Sequence, residues 1–362
     1  MSRHIVLTGG GTAGHIEPML ATAVALQEAE PGLQITCIGS VGGLETSLVP
    51  QRGFTLRAVP AVPLPRKPSA DLVKLPARLL RARAQAKAIL KDTEAAAVVG
   101  FGGYASLPAY LAAKSLGIPV VVHEANATAG IANKIGARWA AFVGTAAKTN
   151  GLDGASIVGM PIRAALATLD RSALRGEALE HFGMRPSTRT LLVYGGSQGA
   201  RRLNTAILAA APQLHEAGIG VLHSYGKKNT VEEPHFDGGP SYVALPYIDR
   251  MDLAYAATDF VLCRSGMGTV AEVSAVGLPA MYVPLPHGNG EQRLNAEPVV
   301  AAGGGVLVDD ADLDGQYLIE HLLPILTDES VVNQMAGAAR GAGHAEAAQV
   351  LAAKVLEVAR RD

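Results

Sequence analysis

The sequence predicts an α/β chain of two doubly wound halves, each a parallel sheet with helices on both faces. Three observations predict it. Short apolar runs, fit for strands buried on both faces, lead into glycine loops and then into helical stretches. That order of strand, glycine loop and helix opens the chain at residues 4–26 and begins again at residues 190–211. A length of 362 residues also exceeds what one core usually holds. The expected division is residues 1–160 against 161–343, across a linker at residues 156–163 that Gly159 and Pro161 punctuate.

Composition narrows the class. Hydrophobic residues make up 49% and charged residues 17%, which excludes disorder. The 41 glycines and 21 prolines follow no period, so they mark turns and loops. A net charge of −1 gives no reason to expect nucleic acid as a partner. Cys37 and Cys263 both sit in apolar, strand-like runs, as buried free thiols of a reducing compartment do. No apolar run reaches membrane-spanning length, and glycines and His15 interrupt any signal-peptide pattern in residues 1–20. The expectation is a cytosolic protein, at most touching a surface.

The first strand, residues 4–8, runs into Gly9-Gly-Gly-Thr-Ala-Gly14-His15 and an apolar helix over residues 19–26. Gly9, Gly11 and Gly14 have the G-x-G-x-x-G spacing of a dinucleotide loop, where glycines let the backbone approach a pyrophosphate. The fingerprint's next requirement is not met. The second strand, residues 33–38, ends at Gly39-Ser40, where an acid would be needed for a ribose. The loop therefore suits close approach of a ligand, but not NAD. His15, in the first helical turn, is placed either for a general base at neutral pH or for a cap-region histidine bonded to backbone.

Residues 59–69 form a proline-rich loop. Between residues 66 and 91, eight basic positions (66, 67, 74, 78, 81, 83, 87 and 91) stand against one acid, Asp71, with leucines, Val73 and Ile89 interleaved at roughly helical spacing. Such a run is a solvated basic helix or, more sharply, a contact with an anionic membrane surface. Strand 95–100 leads to Phe101-Gly-Gly-Tyr-Ala-Ser106, and strand 118–122 leads to His123-Glu-Ala-Asn126. These loops share the carboxyl edge of a parallel sheet, where doubly wound folds hold ligands. His15, Gly102, Gly103, Tyr104, His123, Glu124 and Asn126 should converge there, although His123 and Glu124 read equally well as a structural pair.

Arg163 can meet a phosphate or be a plain surface arginine. The second half starts with strand 190–194, Gly195-Gly-Ser-Gln-Gly199 and helix 203–211, with Ser197 and Gln198 on the ligand side. Strands 221–225, 241–245 and 260–263 continue its sheet, and residues 252–257 form a helix. Residues 259–295 carry the most chemistry. Ser265-Gly266 turn the chain, and Thr269 with Glu272 has the spacing of a capping box at a helix start. The positive end of that helix suits a diphosphate, and Glu272, one turn in, can reach a ribose diol. A strand at 280–283 ends at a polar loop whose Glu291 and Gln292 suit sugar hydroxyls. The same stretch also fits an ordinary αβ unit with a capped helix. No metal is expected.

Two doubly wound domains, a linker and a nucleotide-type helix in the second half resemble the GT-B glycosyltransferases, whose two Rossmann-like domains face each other across a cleft. Gly10-Gly-Thr-Ala-Gly-His15, Gly102-Gly-Tyr104, His123-Glu-Ala-Asn126, Gly195-Gly-Ser-Gln-Gly-Ala200, Cys263-Arg-Ser-Gly266 and Gln292 resemble the motifs of the peptidoglycan N-acetylglucosaminyltransferases of that class, in order and over nearly the whole chain. The resemblance implies an inverting transfer of N-acetylglucosamine from UDP-N-acetylglucosamine to the 4-hydroxyl of undecaprenyl-pyrophosphoryl-N-acetylmuramoyl-pentapeptide, giving a β-1,4 link without a cofactor. It implies a first domain on the acceptor and membrane side, with a final helix in residues 344–362 packed back on it, and a second that binds the UDP-sugar. The donor positions it carries over are Thr12, Ala13, Gly14, Asn126, Arg163, Ser197, Ile248, Met267, Gly268, Thr269, Val270, Ala271, Glu272 and Gln292. His15 is the candidate base, with Glu124 as the fallback. The implied location is peripheral, on the cytoplasmic side of the cell membrane. Ala125 stands where relatives usually have Gln, Ala13 where Gly is frequent and Glu291 where Gln is common, which leaves the detail of sugar recognition open. Two rival readings also stay open: a GT-B transferase acting on a diacylglycerol or a small aglycone, and a non-enzymatic nucleotide-sugar-binding subunit or scaffold.

Overall fold

The structure, a computed structural model, describes residues 3–62, 71–185, 187–287 and 290–360, with backbone alone for 71–74. Most of the proline-rich stretch, including Arg66 and Lys67, and the pair Gly288-Asn289 lie outside the described residues. The chain divides into two units, Met1–Ala164 with Glu346–Asp362, and Ala165–Ala345.

The first unit runs β1 (His4–Thr8), α1 (Ala13–Ala29), β2 (Gln34–Ser40), α2 (Glu45–Gln51), β3 (Thr55–Val59), α3 (Asp71–Asp92), β4 (Ala97–Gly100), α4 (Ser106–Leu116), β5 (Val120–Glu124), α5 (Ile131–Ala137), β6 (Phe142–Thr145) and β7 (Ser156–Ile157). Its seven strands pair in the order β3-β2-β1-β4-β5-β6-β7, all parallel. Alternate residues of the central strands feed two cores. Ile5, Leu7, Ala97 and Val99 face α1, while Val6, Val98, Val120 and Val122 face α3 and α4. A strand buried on both faces needs apolar residues at every position, which is why these read as continuous apolar runs.

The second unit runs through α6 (Ala164–Ala167), whose first residue closes the first unit, α7 (Arg171–His181), β8 (Arg189–Tyr194), α8 (Arg201–Glu216), β9 (Ile219–Ser224), β10 (Tyr242–Leu245), α9 (Met251–Ala256), β11 (Phe260–Cys263), α10 (Met267–Ala275), β12 (Ala280–Tyr282), α11 (Glu291–Ala301) and β13 (Gly305–Leu307). It ends with α12 (Gly315–Tyr317), a π-helical turn over Leu318–Leu322, α13 (Leu323–Thr327) and α14 (Glu329–Ala342). The strand order β10-β9-β8-β11-β12-β13 repeats the pattern of the first sheet, and both have the central switch of a doubly wound fold. The final helix, α15 (Ala347–Val358), belongs to the first unit, where Leu351, Ala352 and Val355 join Ile16, Leu20 and Leu26 in one core.

Cys37 and Cys263 are buried free thiols, and burial pushes Cys37 up to about 12. The segment read as a linker is exposed only at its start. Ser156 and Ile157 extend the first sheet, and Val158, Met160 and Ile162 are buried. Residues 158–162 are buried without a break, Gly159 and Pro161 among them, so two residues that read as turn formers lie in a buried stretch.

Candidate active site

In each sheet the chain leaves the central strand to one side and returns on the other, so a crevice opens at the carboxyl ends of β1 and β4, and again at those of β8 and β11. In the first unit, the loops after β1 and β4 touch backbone to backbone. A Cβ on Gly103 would overlap the carbonyl of Gly10, and Gly11, Gly102 and Gly103 have φ of +86°, +88° and +87°, which side chains disfavour. His15 lies in the first turn of α1. Its Nδ1 is 3.1 Å from Thr12 Oγ1, and its Nε2 edge faces Gly102, 3.3 Å from where a Cβ would stand. Asn133 Nδ2 lies at the same distance from that point.

Glu124 ends β5 and is buried. Its carboxylate accepts from Asn126 N at 2.9 Å, Asn126 Nδ2 at 3.0 Å, Gly130 N at 2.9 Å and Asn133 Nδ2 at 2.9 Å. Both oxygens are thereby engaged in holding the β5–α5 loop. Asn133 in turn accepts from Tyr110 Oη at 2.8 Å. His123 is wholly buried, bonded through Nε2 to the carbonyl of Gly159 at 2.9 Å, and burial holds it below the ordinary histidine range. Thus His15, Gly102, Gly103, Glu124 and Asn126 share the strand-end edge, while the ring of His123 is tied to the edge segment behind it. Tyr104 is 48% exposed, with its ring against Gly11.

In the second unit, Gly199 and Gly226 touch so closely that a Cβ on either would overlap the other loop's backbone. Asn229 Nδ2 donates to the carbonyls of Gln198 at 2.8 Å and Tyr225 at 3.0 Å, so Ser197 and Gln198 stand exposed on a fixed turn. Helix α10 begins at Met267, not at Thr269. Gly266, in extended conformation, is its N-cap and no side chain caps it, so the capping-box reading of Thr269 and Glu272 is corrected. Glycine there lets the chain turn without a capping side chain. The N–H groups of Met267, Gly268 and Thr269 belong to the first turn, where helices offer donors to anions.

Glu272, half-buried in the second turn, accepts from Tyr255 Oη at 3.0 Å, and Tyr255 meets Tyr194 Oη at 2.9 Å. Burial pushes both phenols well above their usual range, so they stay protonated and the relay runs Tyr194 to Tyr255 to Glu272. Val270 is buried in α10, and Ala271 is half-buried beside Glu272. Ile248 is buried in the loop after β10. Glu291 and Gln292 open α11 and so are helical, not part of a loop, because Gly290 in left-handed conformation starts the helix just before them. Gln292 Oε1 accepts from Leu285 N at 2.9 Å.

Among the carried-over donor positions, Thr12, Ala13, Gly14, Asn126 and Arg163 fall in the first unit and the rest in the second. Tyr194, Tyr255 and Asn133 are not singled out by sequence pattern, because a buried aromatic or amide looks like ordinary core until the strand order shows its neighbour.

Comparison with known proteins identifies the family. Residues 5–145 match the glycosyltransferase family 28 N-terminal domain, and residues 190–351 its C-terminal domain. A Nocardia farcinica protein is 55% identical over 362 residues, covering 98% of this chain and 96% of its own. One from Streptomyces avermitilis is 56% identical over 355 residues, covering 98% of each. Both bear the name UDP-N-acetylglucosamine–N-acetylmuramyl-(pentapeptide) pyrophosphoryl-undecaprenol N-acetylglucosamine transferase. The crystal structure of Acinetobacter baumannii MurG is similar at a TM-score of 0.78 and 27% identity, covering 98% of this chain and 99% of that one. A Neisseria meningitidis UDP-GlcNAc 2-epimerase shares the fold at a TM-score of 0.67 but only 14% identity, covering 99% of this chain and all of that one, so the fold alone does not fix a reaction. With two parallel doubly wound sheets in place and both family domains matched in order, this chain belongs to glycosyltransferase family 28.

Proposed function

We propose that this chain transfers N-acetylglucosamine from UDP-N-acetylglucosamine to the muramoyl 4-hydroxyl of undecaprenyl-pyrophosphoryl-muramoyl-pentapeptide, with inversion to a β-1,4 link. The observation that carries it is identity of 55–56% over 98% of the chain to transferases of that name. The acceptor belongs to the loop edge of the first unit and the UDP-sugar to that of the second. The acceptor oxygen attacks the anomeric carbon as the bond to the diphosphate breaks, through an oxocarbenium-like transition state. UDP leaves with the bonding electrons, and the acceptor proton goes to the base.

His15 suits that base. With Nδ1–H donated to Thr12 Oγ1, the lone pair of Nε2 is left for the acceptor hydroxyl. Glu124 suits it poorly, since four hydrogen bonds engage its carboxylate, and we assign it the loop instead. The first turn of α10 offers positive potential to the departing diphosphate, and Glu272 offers its carboxylate to the ribose.

The acceptor's polyprenyl chain stays in a bilayer, and no described helix is long and apolar enough to cross one. The basic stretch of residues 66–91 is our candidate for reversible contact with the anionic cytoplasmic face. The test is transfer by the purified protein from labelled UDP-N-acetylglucosamine to a short-chain lipid acceptor. A β-linked disaccharide is the expected product. Turnover only on a diacylglycerol or a small aglycone would overturn the acceptor assignment, and donor binding without turnover would overturn the enzyme.

A further inference from the structure

Among the described residues of the first unit, two carboxylates are buried, Glu124 and Glu45, and Glu45 has not yet been given a role. It is the first residue of α2 and has no exposed surface. Oε1 accepts from Ser40 N at 2.7 Å and Ser40 Oγ at 2.5 Å, and Oε2 from Gly11 N at 3.2 Å. Gly10, Gly39 and Gly43 surround it, and a Cβ on any of them would overlap the Glu45 side chain. Two loops are thus cleared of side chains around one anion. The partners that hold it are neutral N–H and O–H groups. Burial would raise this carboxyl; the hydrogen bonds from Ser40, its own amide and Gly11 outweigh that and hold it below the usual carboxylate range. A charge buried on these terms is costly to keep for packing alone, where an apolar side chain would serve.

We propose that Glu45 is a positioning residue of the transfer: it clasps the β1–α1 glycine loop to the end of β2 and thereby fixes Thr12 and His15. The bonded amide is that of Gly11, adjacent to Thr12, whose hydroxyl meets His15 Nδ1. The clasp also accounts for the dinucleotide-like loop without a dinucleotide. The acid missing at the end of β2 is supplied five residues later, turned inward onto Ser40 and Gly11 and so not offered to a ribose.

The proposal rests on His15 as base for its kinetic consequence, and on the loop alone for its structural one. Two variants test it. Glu45→Gln keeps the volume but sets an NH₂ against the N–H of Ser40 or Gly11. Gly43→Ala puts a Cβ where the carboxylate lies, from the α2 side. Hydrogen exchange of residues 9–15 needs no substrate and should quicken in both. In folded protein kcat should fall, on the order of 10²-fold for a base misplaced by about 1 Å, with UDP affinity kept. The double variant should be no worse than the weaker single, because both break one clasp. Unchanged exchange of residues 9–15 in both variants would sink the clasp. Loss of thermal stability with kcat within about twofold of the parent would reduce Glu45 to a structural role. A parent that binds UDP-N-acetylglucosamine but transfers nothing would overturn the transfer reading instead, and the exchange data would still judge the clasp.

Discussion

His15 Nδ1 lies 3.1 Å from Thr12 Oγ1, and the proposed transfer needs the tautomer that leaves Nε2 unprotonated. His15→Ala should lower kcat by roughly 10²–10⁴-fold, the usual contribution of a general base, while calorimetry finds UDP binding unchanged. Loss of UDP binding with kcat kept would move the base elsewhere. On the donor side, Tyr255→Phe removes the hydroxyl that aims Glu272. A hydrogen bond to a charged group contributes roughly 1.5–3 kcal/mol, so the donor KM should rise about tenfold, with a smaller change for the acceptor; an unmoved donor KM would leave the tyrosine pair as core packing. Both polar groups that the sequence made conspicuous, His15 and Glu272, lie next to glycine-bearing turns that advertise them. Tyr194 and Glu45 also stand near glycines, before Gly195 and after Gly43, yet neither they nor Tyr255 are singled out, because only the fold shows what each one meets.

The central strands were legible because a parallel sheet covered on both faces favours apolar residues, and the boundaries of β11 agree residue for residue. β3, β6, β7 and β13, at the outer positions of the sheets and partly buried or exposed, went unread. Helix starts were less so. Gly266 and Gly290 begin α10 and α11 without side-chain caps, leaving no capping residue to read. Strand ends also hold a pH-dependent feature in each unit. His223 on β9 donates Nε2–H to Asn204 Oδ1 at 3.0 Å and accepts from Tyr242 Oη at 2.9 Å, and burial pushes it down to about 4. His123 on β5 is lowered by the same cause. A folded histidine below the unfolded value of about 6.5 binds fewer protons than the unfolded chain between those two pKa values. Its stabilising effect is complete above about pH 6.5 and declines as pH falls towards 4. Each such group changes stability by at most about 1.4 kcal/mol per pH unit in that window. Melting temperature should therefore fall steeply from pH 6.5 to 4.5, and His223→Gln, which keeps a donor and an acceptor but cannot titrate, should flatten the slope. The same slope in parent and variant would show that His223 does not set it.

At the scale of the whole chain, a net charge of −1 cannot bring it to an anionic bilayer, so any attraction must be local. Helix α3 is where basic residues gather. Ala82, Ala86, Ile89 and Leu90 bury one face of it in the first core, while Arg78, Arg81 and Lys91 are exposed and Leu80 is 63% exposed beside them. Arg83 and Lys87 are half-buried, so fewer than the eight bases counted in the sequence can meet a surface from the described helix. Each base near an anionic leaflet contributes about 1 kcal/mol at best, and an inserted leucine adds to it. That predicts weak, reversible binding that weakens with salt as screening shortens to a few ångström. The protein should float with anionic vesicles at low salt, and not with neutral ones or at high salt. Replacing Arg78, Arg81 and Arg83 with Glu should abolish flotation while sparing transfer to a water-soluble acceptor, because none of the three lies at the strand-end loops that carry His15. A triple variant that floats like the parent would leave α3 a solvated basic helix, and one that floats poorly but also loses transfer to the soluble acceptor would point to damage in the first unit rather than to the membrane.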